Sequence, residues 1–282
     1  MSPKRSALPQ WRTSRVNVPV FDYRVYHLTA WERTGYILVA LAVAGALGYL
    51  FFGGLAVDQN GDPTTTTRVL DALAVGLPGI LGARYFLRLR AEAIQQRNVK
   101  TLERQFRDVL DSLSSSLSSG STVIQAFQIA RDDLEKQYSP EAPMVTELNV
   151  IIAGFHNNVR IEEMVADLGE RSGSKDIESF AEIFTIAYTK GADMKQAVHN
   201  THLVLSEKMS IAEEIETSLV ASKNESFIMV AIPIVLVTML KTGGGSFADS
   251  LRTPVGVVCT LVALSLFVAS YALARKIMTI KF

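Results

Sequence analysis

The chain has 282 residues, with 28 Lys and Arg balanced by 28 Asp and Glu and 48% hydrophobic residues. Its single cysteine, Cys259, excludes a disulfide or a cysteine-based metal site built within one chain. The neutrality hides a division, because residues 108–225 are rich in Asp and Glu, with runs such as Asp132, Asp133, Glu135 and Glu213, Glu214, Glu216; an acidic surface disfavours nucleic acid as a partner.

In chain order, residues 1–34 are expected to form a cytoplasmic amino-terminal tail. Residues 35–57, GYILVALAVAGALGYLFFGGLAV, carry no charge. At about 1.5 Å per residue they cover the roughly 30 Å hydrocarbon core of a bilayer, and their glycines suit close helix packing in lipid. This is the first expected transmembrane helix, and its length argues against a secretory signal peptide. Residues 69–87 are the second, with Asp71 and Arg84 near opposite interfaces and Pro78 between them. Those two charges lie too far apart to pair; interfacial anchoring, or contact with another membrane subunit, is their expected role.

Residues 88–226 are expected to form a cytoplasmic helical bundle. Leu102, Phe106, Val109, Leu110, Leu113 and Leu117 recur at spacings of three and four, and Gly120 stops that helix. Ser121 is the expected cap of the next, which carries Val123, Ile124, Phe127 and Leu134. After a loop at Ser139, Pro140 and Pro143, a helix with Val145, Leu148, Ile151, Ile152 and Phe155 ends near residues 156–158, where Asn157 and Asn158 make the turn. A short helix follows with Ile161, Met164, Val165 and Leu168. Residues 172–174 break the chain again before Ile177, Phe180, Ile183, Phe184 and Ala187, and Gly191 ends that helix. The last helix starts near Met194 and runs by Val198, Leu205, Ile211, Ile215 and Leu219 into the third expected span, residues 227–240. Residues 255–274 are the fourth and residues 275–282 a cytoplasmic tail. No segment shows sustained period-two alternation.

The loops orient the spans, because Lys and Arg accumulate on the cytoplasmic side. Lys4, Arg5, Arg12, Arg15, Arg24 and Arg33 precede the first span, Arg88, Arg90, Arg97, Lys100, Arg104 and Arg107 follow the second, and Arg275, Lys276 and Lys281 follow the fourth. The expected fold is therefore an all-α, polytopic membrane protein with four transmembrane helices and one cytoplasmic helical domain between spans two and three, both termini inside. The bilayer is its first partner.

A faint echo runs through the bundle at a shift of 71 residues (177 − 106 = 71). It places Phe106 on Ile177, Val109 on Phe180, Leu113 on Phe184, Leu117 on Tyr188, Gly120 on Gly191 and Ala126 on Ala197, which suggests two copies of a helix, glycine, helix unit.

Catalytic chemistry is not legible. G-x-x-x-x-G-K-[ST] and G-x-S-x-G are both absent, and Gly243, Gly244 and Gly245 read as a flexible connector. His199 and His202, three apart on one helix, lack an obvious supporting carboxylate for a metal. His156 and His27 read as structural or exposed. Ser112, Ser114, Ser115, Ser116, Ser118 and Ser119 read as the polar flank of an amphipathic helix, and Glu162 with Glu163 as a solvated or partner-facing surface. No catalytic residue, cofactor site or metal site is expected.

QFRDVLDSLSSSLSSGSTVIQAFQIA (105–130), ERSGSKDIESFAEIF (170–184), the segment from Gly191 to Ala197 and EIETSLVASKNESFIMVAIPIVLV (214–237) together resemble the type II secretion system F family. The opening DYRVYHLTAWERTGYILVA and the tail ARKIMTIKF are similar to its TadB-like branch, found in tight-adherence (Flp) pilus systems. The resemblance implies a non-enzymatic platform in the cell membrane that couples a cytoplasmic secretion ATPase to pilin subunits. It also implies pairing with itself or with a homologous platform subunit, since longer members carry two cytoplasmic domains. The rival expectations are a small-molecule membrane transporter, which would need polar groups converging at mid-membrane, and a membrane-tethered scaffold or signalling module.

Overall fold

The computed structural model describes residues 9–14, 17–52 and 65–242, with isolated helical positions between 255 and 273. The chain divides into two compact units, one of Met1–Leu28 with Leu89–Ser218, the other of Thr29–Arg88 with Leu219–Phe282.

The first unit is a helical bundle with a hairpin laid on it. Within α2 (Thr65–Ser118), Leu102, Phe106, Val109, Leu110 and Leu113 form a buried stripe at helical spacing. Gly120, at φ 90°, turns the chain in a conformation that costs glycine little. The cap of α3 (Val123–Gln137) is Thr122, one residue beyond the expected Ser121: its side chain accepts from the Gln125 N–H, and the Gln125 side chain accepts from the Thr122 N–H. Ser121 instead closes the preceding helix, donating its N–H to the Ser116 carbonyl at 3.1 Å.

Helix α4 (Pro143–His156) opens on a proline whose missing N–H has no helical partner to lose, and Asn158, at φ 60°, makes the tight turn that follows. Helix α5 (Ile161–Ser172) ends on Gly173 and α6 (Lys175–Lys190) on Gly191, both in the left-handed region. Helices α5 and α6 approach closely at Gly169, where a Cβ would stand 2.7 Å from that of Ala181. Helix α7 (Met194–Thr242) is capped by Asp193, which accepts the Gln196 N–H at 3.1 Å.

The core is aromatic where distant parts of the sequence meet. Phe106 and Phe180 stand edge to face at 5.2 Å, and Phe127 and Phe184 at 5.8 Å. Each ring buried here contributes about 1.5–3 kcal/mol over leaving it in water. The echo at 71 residues has a structural counterpart: Phe106, Val109 and Leu113 are buried as are Ile177, Phe180 and Phe184, and Gly120 and Gly191 both have positive φ. It extends into the second helices, where Phe127 and Val198 (127 + 71 = 198) and Leu134 and Leu205 (134 + 71 = 205) are also buried. Three expected core residues are misplaced: Phe155, Ile183 and Ile211 are exposed.

Part of the expected tail is structured. Strands β1 (Trp11–Thr13) and β2 (Pro19–Phe21) pair antiparallel with Trp11 opposite Phe21, and Trp11 meets the Phe21 ring at 5.4 Å. Strands of three residues are too short to show alternation, so the all-α expectation missed this sheet.

The second unit holds α1 (Ala30–Phe52), the first part of α2 and the last part of α7. The expectation of four transmembrane spans is corrected here: among the described residues, no helix is long and apolar enough to cross a membrane. A crossing helix needs about 20 consecutive apolar residues. Helix α1 spends its first turn on Trp31, Glu32 and Arg33 and is described to Phe52, so residues 53–57 of the first expected span lie outside the described residues. The second span, 69–87, falls in α2, where nearly all its side chains lie outside them. The third, 227–240, is an apolar stretch inside α7 that is shorter than a bilayer needs and contains Pro233. The fourth, 255–274, lies outside the described residues except at isolated positions.

A candidate partner-docking groove

Helices α2 and α3 bound an open cavity of about 440 Å³. It is lined by Asp108, Asp111, Ser112, Ser115, Ile129 and Asp133 among others. The serines explain its shape: short side chains on α2 leave space where larger ones would fill it. Ser112 donates to the Asp133 carboxylate at 2.8 Å, tying the two helices across the groove. Gln137 donates to Asp108 at 3.3 Å, and the Tyr138 hydroxyl donates to the same carboxylate at 2.5 Å. Three aspartates stand on its walls, of which Asp108 is already paired with Arg107 at 3.4 Å, so the local field remains acidic around Asp111 and Asp133.

Burial, together with the Asp108 hydrogen bond and charge, pushes the Tyr138 hydroxyl from 10.0 up to about 12. The neutral phenol is therefore favoured in the folded chain. Its contribution to stability is whole below the unfolded value and is lost as the pH rises from about 10 to about 12. In urea titrations at graded alkaline pH, Tyr138→Phe should start less stable than the parent. The gap should close as the pH passes through this window, and a constant gap would contradict the assignment.

A second polar centre holds the hairpin to the bundle. Arg171 on α5, only 1% exposed, donates to both Glu147 carboxylate oxygens on α4, at 3.0 and 2.8 Å. It also donates to Asp167 at 2.7 Å and to the Phe21 carbonyl at 2.8 Å. Tyr23 returns a bond, its N–H meeting the Arg171 carbonyl at 3.0 Å, and Gln95 on α2 donates to the Tyr23 carbonyl at 3.2 Å. Burial, and then the charge of Glu147, drives the Tyr23 hydroxyl far above its ordinary value. Beside it, buried Asp22 accepts from Arg24 at 2.9 and 2.7 Å, and Arg12 and Arg24 both reach Glu170. Arg171 and Glu147 at its heart are sealed from solvent and fix structure, while Glu170, Arg12 and Arg24 lie at its exposed edge.

The sequence candidates fall out as follows. His199 and His202 turn toward α2 but meet different groups, Ser114 at 3.2 Å and Asp111 at 3.8 Å. Among the described residues no cluster of three or more His, Cys, Asp or Glu stands ready for a metal. The serine run is more than a polar flank, since Ser114 and Ser116 are buried and Ser112 and Ser115 line the groove. Glu162 is buried rather than solvated, whereas Glu163 pairs with Arg160. His156 sits against the Phe155 ring, and His27 is exposed. Gly243, Gly244 and Gly245 and the side chains of Asp71 and Arg84 lie outside the described residues. Sequence reasoning missed Glu147 and Arg171. A lone carboxylate on an otherwise apolar helix, PMVTELNVII, was the available signal, because buried acids need partners.

Compared with models of protein families, with curated proteins and with solved structures, the chain has no match.

Proposed function

We propose that the chain is a non-enzymatic platform subunit of a pilus-assembly or type II secretion-like machine, working at the cell membrane. In this role its helical unit receives a cytoplasmic secretion ATPase, and the chain passes that motor's work to pilin subunits. What supports the reading is that three of the sequence blocks resembling the secretion F family, 105–130, 170–184 and 191–197, contribute to one bundle. Phe106 and Phe127 of the first block touch Phe180 and Phe184 of the second. The groove between α2 and α3 adds an acidic surface on which a basic face of the motor can settle.

Gentle detergent purification from the native cell, with identification of what stays bound, tests this directly. A secretion ATPase and a pilin should co-purify, and the chain alone should leave ATP untouched. The rate of ATPase capture should fall on the order of tenfold from low to high salt, as electrostatically steered encounters do. Robust ATP turnover by the chain itself, or recovery of neither partner, would sink the proposal.

A further inference from the structure

The groove between α2 and α3 holds one feature that packing does not account for. Ser116 lines it while only 7% exposed, and among the described residues its hydroxyl has no hydrogen-bond partner. A buried hydroxyl left unpaired costs free energy that a water-facing one does not. The helix has no need of it. At a shift of 71 residues the second helix pair has Ala187 in this place, also buried and with no polar group to satisfy (116 + 71 = 187). The rest of the groove repeats the contrast, since Ser112, Ser115 and Asp133 correspond to Ile183, Ile186 and Val204 (112 + 71 = 183; 115 + 71 = 186; 133 + 71 = 204). The first pair keeps a polar trough where the second is aliphatic.

The acceptors left over fix the charge of what fits there. Asp108 is occupied by Arg107, Gln137 and Tyr138. Asp133 takes a hydrogen bond from Ser112, and Asp111 is 75% exposed with His202 3.8 Å away. Two carboxylates that only accept, beside a hydroxyl free to accept, call for a cation rich in donors. Ile129, 40% exposed, lines the same trough and gives an aliphatic stem a surface to lie on. A guanidinium meets these demands better than an ammonium, because its N–H donors fan out in one plane and it gives up water more readily.

We propose that this groove takes the guanidinium of one arginine carried by a partner protein. Asp111 and Asp133 are its counter-charges, the Ser116 hydroxyl accepts one of its N–H groups, and Ile129 lies under its stem. The open side of the groove selects a protein-borne side chain. A free small cation would stay half in water, where opposite charges attract weakly; a partner brings the surface that closes the mouth. The inference rests on the platform reading for the identity of that partner, the secretion ATPase.

Disulfide tethering reads the head-group preference without the partner. In the full chain, Cys259→Ser removes the one native thiol, and Ser115→Cys places a thiol on the exposed wall of the groove. Glu135→Cys, exposed on α3 and outside the groove lining, is the control site. In a fixed redox buffer, and relative to the control site, 2-mercaptoethylguanidine should label position 115 at about tenfold lower concentration than 2-mercaptoethanol and about threefold lower than cysteamine. Ser116→Ala should erase the margin of guanidine over ammonium yet leave the thermal unfolding midpoint at or above the parent's, which a merely structural hydroxyl would not do. Asp111→Asn/Asp133→Asn should erase the preference for a cation altogether. Equal labelling by the three thiols, or a guanidine margin that survives Ser116→Ala, would overturn the proposal. Free methylguanidinium that blocked labelling at about 1 mM or below would reveal a small-molecule site and overturn the assignment to a partner's side chain. The two readings fail separately: no guanidine preference sinks the groove assignment whatever co-purifies, whereas a guanidine preference with no ATPase recovered sinks the platform reading alone.

Discussion

Arg171→Met should lower the thermal unfolding midpoint of the helical unit by roughly 6–20 °C. The arginine is buried to 1% and makes five hydrogen bonds, to Glu147, Asp167, the Phe21 carbonyl and, through its own carbonyl, the Tyr23 N–H. Removing one member of a buried ion pair costs about 3–5 kcal/mol because the other charge is stranded without water, and about 2–4 °C accompanies each kcal/mol in a unit of this size. Glu147→Leu should cost nearly as much. The double variant Glu147→Leu/Arg171→Met should recover much of the loss, since the pair contributes less than its desolvation and Asp167 still reaches solvent. Hydrogen exchange supplies an independent readout: the Tyr23 amide should lose protection in Arg171→Met before the α2 core does. Single variants costing under about 1 kcal/mol would show that Arg171 and Glu147 are not the clasp described here.

That clasp is also the part of the fold least visible in the sequence. Punctuation was local and therefore legible: Gly120, Gly173, Gly191 and Asn158 all take positive φ where turns were expected, and the buried stripes of α2 and α5 fall where spacing put them. The hairpin, by contrast, is separated from its seat on α5 by about 150 residues of chain (171 − 21 = 150). No periodicity within residues 10–24 announces such a contact. Ile183 shows a different failure. Periodicity located an apolar residue on α6 correctly but assigned it to the core, because spacing cannot tell a face that packs inside its own bundle from one left on the surface. The span assignment is overturned by length: among the described residues no helix holds an apolar stretch long enough to cross a membrane, and the stretch at 227–240 falls short of one.

The groove, unlike the clasp, is built from exposed groups that can be altered without unfolding the chain, and so it gives the sharpest functional test. Asp111 is largely in solvent, and Asp133 holds a single exposed hydrogen bond with Ser112. Asp111→Lys/Asp133→Lys shifts the local charge by four units (two carboxylates lost, two ammoniums gained) at the point where a cationic surface of the ATPase is proposed to settle. Under the platform reading, ATPase capture at low salt should slow about 10–100-fold, with much of the difference vanishing near 1 M salt, where charges are screened beyond about 3 Å. Glu213→Lys/Glu214→Lys makes the same change in net charge on α7, away from the groove, and should slow capture by no more than about threefold. If both pairs slow it equally, the motor responds to total charge and the groove has no special part. If neither does, the ATPase docks elsewhere, and the acidic groove between α2 and α3 is a by-product of packing serines against Asp133.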